Sequence, residues 1–158
     1  MIDYEKFRLV IWDLDGTFWR GMLTDYDVVI DERNCRLVRD LADSGVISSV
    51  CSLNDEAPAK QLLEACNMWD LFVFPSIDWQ PKGERIVRII EKTGLDPRET
   101  LFLDDSPRNL YEAARACPGL LTADPGILDN MSFYFSRKEK TDAARTRLAQ
   151  YKETEKRT

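Results

Sequence analysis

The chain predicts an α/β fold, a parallel sheet with helices on both faces, and three observations point to it. Short apolar runs alternate with amphipathic segments of helical period along most of the length. The runs are mostly apolar, as strands buried on both faces require. Several end in acidic or hydroxyl residues, where the reactive crevice of an open α/β sheet lies. The 158 residues suit one domain with one core.

The first strand, Leu9-Val10-Ile11-Trp12, runs into Asp13-Leu14-Asp15-Gly16-Thr17. Strand alternation would put Asp13 and Asp15 on one side and Leu14 on the other. Residues 18–30, mixed aromatic, polar and β-branched, suit a small hairpin. Residues 32–44 read as a helix with Leu37, Val38 and Leu41 on one face and Gly45 as its stop. Val46-Ile47-Ser48-Ser49-Val50-Cys51 is the second strand. Asn54 is the expected cap of the next helix, with Pro58 in its first turn and Leu62, Leu63 and Cys66 facing the core. Leu71-Phe72-Val73-Phe74 reads as the third strand, closed by Pro75. Pro81 opens a helix that carries Ile86, Val87, Ile89 and Ile90 and ends at Gly94. Leu101-Phe102-Leu103 is the fourth strand and ends in Asp104-Asp105. Ser106-Pro107 fits N-cap and N1 of a helix towards Cys117, and Leu120-Leu121-Thr122 is a fifth strand. From Ser136 onward the chain is dense in Lys, Arg, Glu and Thr. The division expected is a site-bearing domain over 1–135 and a charged C-terminal helix or linker over 136–158.

Composition bounds the chemistry. A hydrophobic fraction of 44% and a charged fraction of 32% are those of a soluble globular protein. A net charge of −6 argues against nonspecific nucleic-acid binding. No apolar run approaches the ~20 residues that span a bilayer, and Met1-Ile2-Asp3-Tyr4-Glu5-Lys6 lacks the layout of a signal peptide. No membrane partner and a cytoplasmic location are therefore expected. Cys35, Cys51, Cys66 and Cys117 form no C-x-x-C pair and read as free thiols. The chain contains no histidine. That excludes His-based triads and makes zinc improbable, leaving acid–base work to carboxylates, lysine, tyrosine or cysteine.

Four strand ends bring polar groups towards one crevice: Asp13 and Asp15, then Ser52, then Lys82 beyond the third strand, then Asp104 and Asp105. Each has an ordinary alternative. Asp-Gly makes turns, Ser52 can open one, Lys82 can be a surface residue, and acids suit a helix start. Their order and placement together supply a nucleophile, an acid, a cation anchor and phosphate-binding groups.

This set resembles the motifs of the haloacid dehalogenase (HAD) superfamily over residues 7–123. Asp13-Leu14-Asp15-Gly16-Thr17 is similar to its first motif, Ser52 to its second, Lys82 to its third and Leu103-Asp104-Asp105 to its fourth. Cys51-Ser52-Leu53-Asn54-Asp55-Glu56, Asp78-Trp79-Gln80-Pro81-Lys82 and Asp104-Asp105-Ser106-Pro107 resemble stretches of its subfamily IIIC, FkbH-like group. Gly16 stands where that group usually has Asn, Arg20 replaces a Gly, and Leu53 replaces a Lys.

The resemblance implies a Rossmann-like sheet and a phosphatase or phosphotransferase that works through an aspartyl-phosphate. Asp13 is then the nucleophile and Asp15 the general acid and base, while Ser52 and Lys82 hold the phosphoryl oxygens. Mg²⁺ would be held by Asp13, the Asp15 backbone carbonyl and Asp104 or Asp105. Thr17, Trp19, Arg20 and Asn54 are candidate substrate-binding residues. The intervals that house a cap domain in other members are filled here by the elements above, so no large cap is expected. The mouth should be open beneath a flap over 18–29, with Trp19, Tyr26 and Trp79 as candidate lining. An open mouth suits a large or carrier-tethered phosphorylated substrate. The FkbH-like alternative is transfer of a glyceryl group from a phosphorylated three-carbon acid to an acyl carrier protein, with Cys51 a candidate acyl acceptor. A third reading is a non-catalytic interaction module on the same fold.

Overall fold

The computed structural model describes residues 2–158. In chain order the elements are β1 (Leu9–Trp12), β2 (Trp19–Arg20), β3 (Val29–Ile30), α1 (Glu32–Asp43), β4 (Ile47–Leu53), α2 (Glu56–Ala65), β5 (Ser76–Asp78), α3 (Lys82–Thr93), β6 (Thr100–Leu103), α4 (Pro107–Ala116), β7 (Leu121–Ala123), α5 (Leu128–Arg137) and α6 (Thr146–Lys156). Five strands form one parallel sheet in the order β5-β4-β1-β6-β7, and β2 and β3 form a small antiparallel pair. The chain winds outward from β1 to one edge, then crosses back to the other side through α3. The polarity of winding thus reverses beside β1, where the carboxyl ends of the strands open a crevice.

Alternation along the strands explains their largely apolar character. Val10 and Trp12 of β1, Val50 of β4, and Leu101 and Leu103 of β6 face a core shared with α1, α2 and α5. Leu9, Ile11, Ile47, Cys51 and Phe102 face the other core, with α3, α4 and Leu148 of α6. Both faces are dry, so neither set of alternating side chains is free to be polar. Where a polar group intrudes it is paired: Trp12 Nε1 donates to Ser48 Oγ at 3.2 Å inside the core.

The third strand lies later than its apolar run suggests. Phe72 makes only an isolated bridge to Ser48, and the ladder with β4 forms at Ser76–Asp78. Phe74, immediately before Pro75, has φ +48°, so the chain leaves the extended region between the two contacts. Pairing then resumes one residue out of step, Ser48 with Phe72 but Cys51 with Ser76, which is a bulge. The run is apolar because it is buried beneath the sheet edge, not because it is the ladder strand.

The C-terminal stretch is helical and docked. Leu148 is 7% exposed, Tyr151 Oη donates to the Thr93 carbonyl at 3.0 Å, and Arg145 Nε pairs with Asp43 at 2.7 Å. Among the described residues no helix is long and apolar enough to cross a membrane. Leu148→Ala should lower the unfolding free energy by ~2–4 kcal/mol in urea, the cost of a truncated core leucine. An unchanged midpoint would mean that α6 does not depend on this contact.

Candidate active site

The pairing register sets two carboxylates side by side. Trp12 pairs with Leu103, and the Asp13 N–H donates to the Leu103 carbonyl at 2.9 Å. Asp13 and Asp104 therefore leave adjacent strands together. Lys82, the first residue of α3, reaches both: its Nζ lies 2.8 Å from Asp13 Oδ1 and 2.6 Å from Asp104 Oδ2. Thr17 Oγ1 donates to Asp13 Oδ2 at 2.9 Å. Asp104 also accepts from the Ser106 N–H and from Asn109 Nδ2, at 2.9 and 3.2 Å.

Two buried carboxylates share one ammonium, which leaves a deficit of positive charge. The Asp13 carboxyl is pushed up to about 7: burial raises it most, Asp104 adds to that, and Lys82 and Thr17 pull it back. Burial pulls the Lys82 ammonium down, but Asp13 and Asp104 outweigh that and hold it above its ordinary value. Carboxylate oxygens of Asp13, Asp104 and Asp105 lie within 4.8 Å of one another. An all-oxygen, cation-deficient donor set of this kind fits a hard divalent ion such as Mg²⁺. The Asp15 side chain stands outside that group.

Strand alternation does not place Asp15, because β1 ends at Trp12. A turn does: the Leu14 carbonyl accepts the N–H groups of Thr17, Phe18 and Trp19. Gly16 has φ +75°, and a Cβ there would lie 2.3 Å from Asp105 Oδ2. A side chain at 16 would displace Asp105, so Gly in place of Asn at this position changes how closely Asp105 approaches the turn. The Asp15 carboxylate then accepts from Trp19 Nε1 at 2.8 Å, the Leu23 N–H at 3.1 Å and Asn54 Nδ2 at 3.1 Å.

These contacts revise several expected roles. Trp19 is 1% exposed and does not line the mouth; its indole anchors Asp15. Thr17 is buried behind Asp13, where it orients the carboxylate. Asn54 is not the helix cap, since α2 starts at Glu56 with Asp55 as N-cap. Its Nδ2 bridges Asp15 and Ser52 Oγ instead, and its Oδ1 is buried without a donor. Ser52 is buried at the end of β4. Arg20 is exposed on β2 and borders a separate cavity with Gly16 and Thr17. Tyr26 and Trp79 are exposed, with Trp79 Nε1 bonded to Asp55 at 2.8 Å. Cys51 faces the core with α3 and α4, on the opposite side of the strand from Ser52, and burial pushes its thiol up to about 11. It is fully buried, which argues against it as an acyl acceptor.

Two supporting residues escape a reading based on motifs. Arg85 is buried and donates to the backbone carbonyls of Ser52, Ser76 and Gln80 at 2.9, 2.6 and 2.7 Å. It ties the end of β4 to β5 and to the loop before Lys82. Asn34 is buried on α1 and donates to the Thr17 and Phe18 carbonyls at 3.1 and 3.0 Å, pinning the turn after β1. Both are polar residues at core spacing on otherwise apolar helix faces, and that mismatch is the signal that could have found them.

Lys82→Met should destabilise the protein by ~3–5 kcal/mol in EDTA, because it strands two buried carboxylates. Added Mg²⁺ should restore part of the loss; a loss under ~1 kcal/mol would sink this account of the cluster. A pH effect follows from Asp13. The folded carboxyl holds its proton to about 7, against an ordinary value of 3.8, so folding takes up protons between those limits. Stability then falls as pH rises through that window in the absence of metal. Urea titrations in EDTA at pH 5 and 7.5 should show the wild type losing stability relative to Asp13→Asn, and the reverse trend would contradict the assignment.

No protein-family model matches this chain, and no curated protein does. Solved structures do. The N-terminal part of a Bacteroides fragilis protein, containing a phosphatase domain and complexed with Mg, is 24% identical with a TM-score of 0.71 over 85% of this chain. The present chain spans only 42% of that one. The cobalt-bound deoxy-D-mannose-octulosonate 8-phosphate phosphatase of Haemophilus influenzae is 20% identical, with a TM-score of 0.64 over 77% of this chain and 70% of its own. A HAD-superfamily hydrolase of subfamily IA from Geobacter sulfurreducens is 15% identical, with a TM-score of 0.59 over 74% of this chain and 86% of its own. The parallel sheet, its winding and these neighbours together show that the chain has the fold of the haloacid dehalogenase superfamily.

Proposed function

We propose that the protein is a Mg²⁺-dependent phosphatase or phosphotransferase acting through an aspartyl-phosphate on Asp13. The observation that carries this reading is the different company kept by the two carboxylates of the first motif. Asp13 sits in the cation-deficient cluster with Lys82, Asp104 and Asp105. Asp15 is held apart from it by three neutral N–H donors. In this reading Asp13 meets the anionic phosphoryl group beside Lys82 and a divalent ion, and Asp15, outside that cluster, exchanges the proton. The neighbours named as phosphatases, one of them for a sugar-acid 8-phosphate, support a phosphorylated substrate.

Asp13 attacks phosphorus as the bond to the leaving oxygen breaks, and Asp15 gives that oxygen its proton. Asp15 then takes a proton from the water that cleaves the aspartyl-phosphate. Lys82 and the Ser52 hydroxyl bind the phosphoryl oxygens, where charge spreads in the transition state. Mg²⁺, held by Asp13, the Asp15 carbonyl and Asp104 or Asp105, would screen the phosphoryl charge from the attacking carboxylate. Thr17 orients Asp13, and Asn54 aligns Asp15 with Ser52.

The mouth carries no inserted domain, so a large or carrier-tethered phosphate ester fits it as well as a small one. Glyceryl transfer to an acyl carrier protein draws no support from Cys51, given its burial. A cytoplasmic location belongs to this reading.

Phosphate release from aryl phosphate, phosphoglycerates and a phosphopeptide should require Mg²⁺ and stop in EDTA. Asp13→Asn should lose at least ~10³-fold in turnover and Asp15→Asn ~10²–10⁴-fold. Tight Mg²⁺ binding with no release from any substrate would instead favour a carrier-dependent transfer or a binding module.

A further inference from the structure

We propose that a small apolar pocket beside Asp15 is the leaving-group subsite, and that it takes an uncharged, ring-sized group rather than an anionic one. The inference rests on the phosphatase reading and narrows its substrate class. The cavity has a volume of about 170 Å³ and is lined by Leu23, Thr24 and Tyr26 of the flap and Asn54, Asp55 and Pro58 at the start of α2. Two of these residues hold Asp15: Leu23 through its N–H and Asn54 through Nδ2, both at 3.1 Å. The group that protonates the leaving oxygen is therefore bonded to the wall of this cavity, and what is attached to that oxygen extends into it.

Size and polarity define the occupant. A dry cavity of ~150 Å³ accommodates benzene, so this one matches a single ring or a short branched chain. Leu23, Pro58 and the Tyr26 ring supply the apolar surface. Tyr26 is 96% exposed; its φ of +55° ends the turn at Leu23–Asp25, with its N–H donating to the Leu23 carbonyl at 3.1 Å, and leaves the ring at the rim.

Charge excludes the alternative. None of the lining residues is Lys or Arg. The Asp55 carboxylate is among them. An anionic leaving group would meet it with no cation to offset it, whereas a neutral ring would not.

The test is calorimetric titration of the full chain in Mg²⁺ with inorganic phosphate, methylphosphonate, phenylphosphonate and 2-carboxyethylphosphonate. Phenylphosphonate should bind about ten-fold tighter than methylphosphonate, the gain from half-burying a ring, and 2-carboxyethylphosphonate no tighter than methylphosphonate. Tyr26→Ala should reduce the phenyl advantage with phosphate binding unchanged. Tyr26→Lys should reverse the order in favour of the carboxylate, a result that loss of packing alone cannot produce. A phenyl advantage absent in the wild type, or intact in both variants, would overturn the subsite while leaving the phosphatase reading in place. Failure of every phosphorus ligand, inorganic phosphate included, to bind would overturn both.

Discussion

The buried contact of Lys82 with Asp13 and Asp104 is the constraint around which the rest of the site is arranged. Two carboxylates at the ends of adjacent buried strands cannot both ionise in a dry environment without a cation close by. A lysine on a flexible stem can supply that cation only if its helix begins within reach of both. The bulge at Phe74–Pro75, the short β5 and the loop through Pro81 all lie on the path that delivers α3 to that point. Arg85, one turn along α3, fastens the same path by taking up the carbonyls of Ser52, Ser76 and Gln80. The helix that neutralises the carboxylates thus also fixes the strand end that presents Ser52. One ammonium does not fully offset two carboxylates with Asp105 beside them, and that residual deficit is what makes the cluster a place for a divalent ion.

The turn after β1 solves a different problem. It must carry the chain from a buried strand into a flap while leaving a second carboxylate pointed at the site. Gly16 permits the left-handed step, and Asn34 on α1 takes up the carbonyls of Thr17 and Phe18 that would otherwise be buried unpaired. Trp19 is spent as a hydrogen-bond donor within this framework and not as a surface for ligand. The flap that follows is short, with only β2, β3 and one turn of 3-10 helix between them.

The chemistry and the architecture meet in the separation of Asp13 from Asp15. They are two residues apart in the chain, yet one is surrounded by charges and the other by neutral donors. The same division gives the surroundings two directions: towards Lys82 and Asp104, which carry charge, and towards Leu23 and Asn54, which offer neutral donors.

Much of this was legible in the sequence. The sheet, its helices and the strand-end positions of Asp13, Ser52, Lys82 and Asp104 follow from apolar runs, caps and stops, which are local properties of the chain. Local pattern falls short where a residue's role depends on a distant partner. The run at 71–74 is apolar like a strand but lies beside the ladder. Asn54 has the chemistry of a cap but is drawn to Asp15, 39 positions away. Trp19 and Cys51 read equally well as site or core, and only packing assigns them to the interior. Arg85 and Asn34 escape local pattern because a polar residue on an apolar helix face acquires meaning only from the carbonyls it meets. By itself, the sequence determined periodicity and the residue types at each strand end, because hydrophobic pattern and backbone preference act over a few residues. Tertiary structure alone decided which of those groups share a proton, a cation or a hydrogen bond, because such partners are chosen by register and burial across the whole sheet.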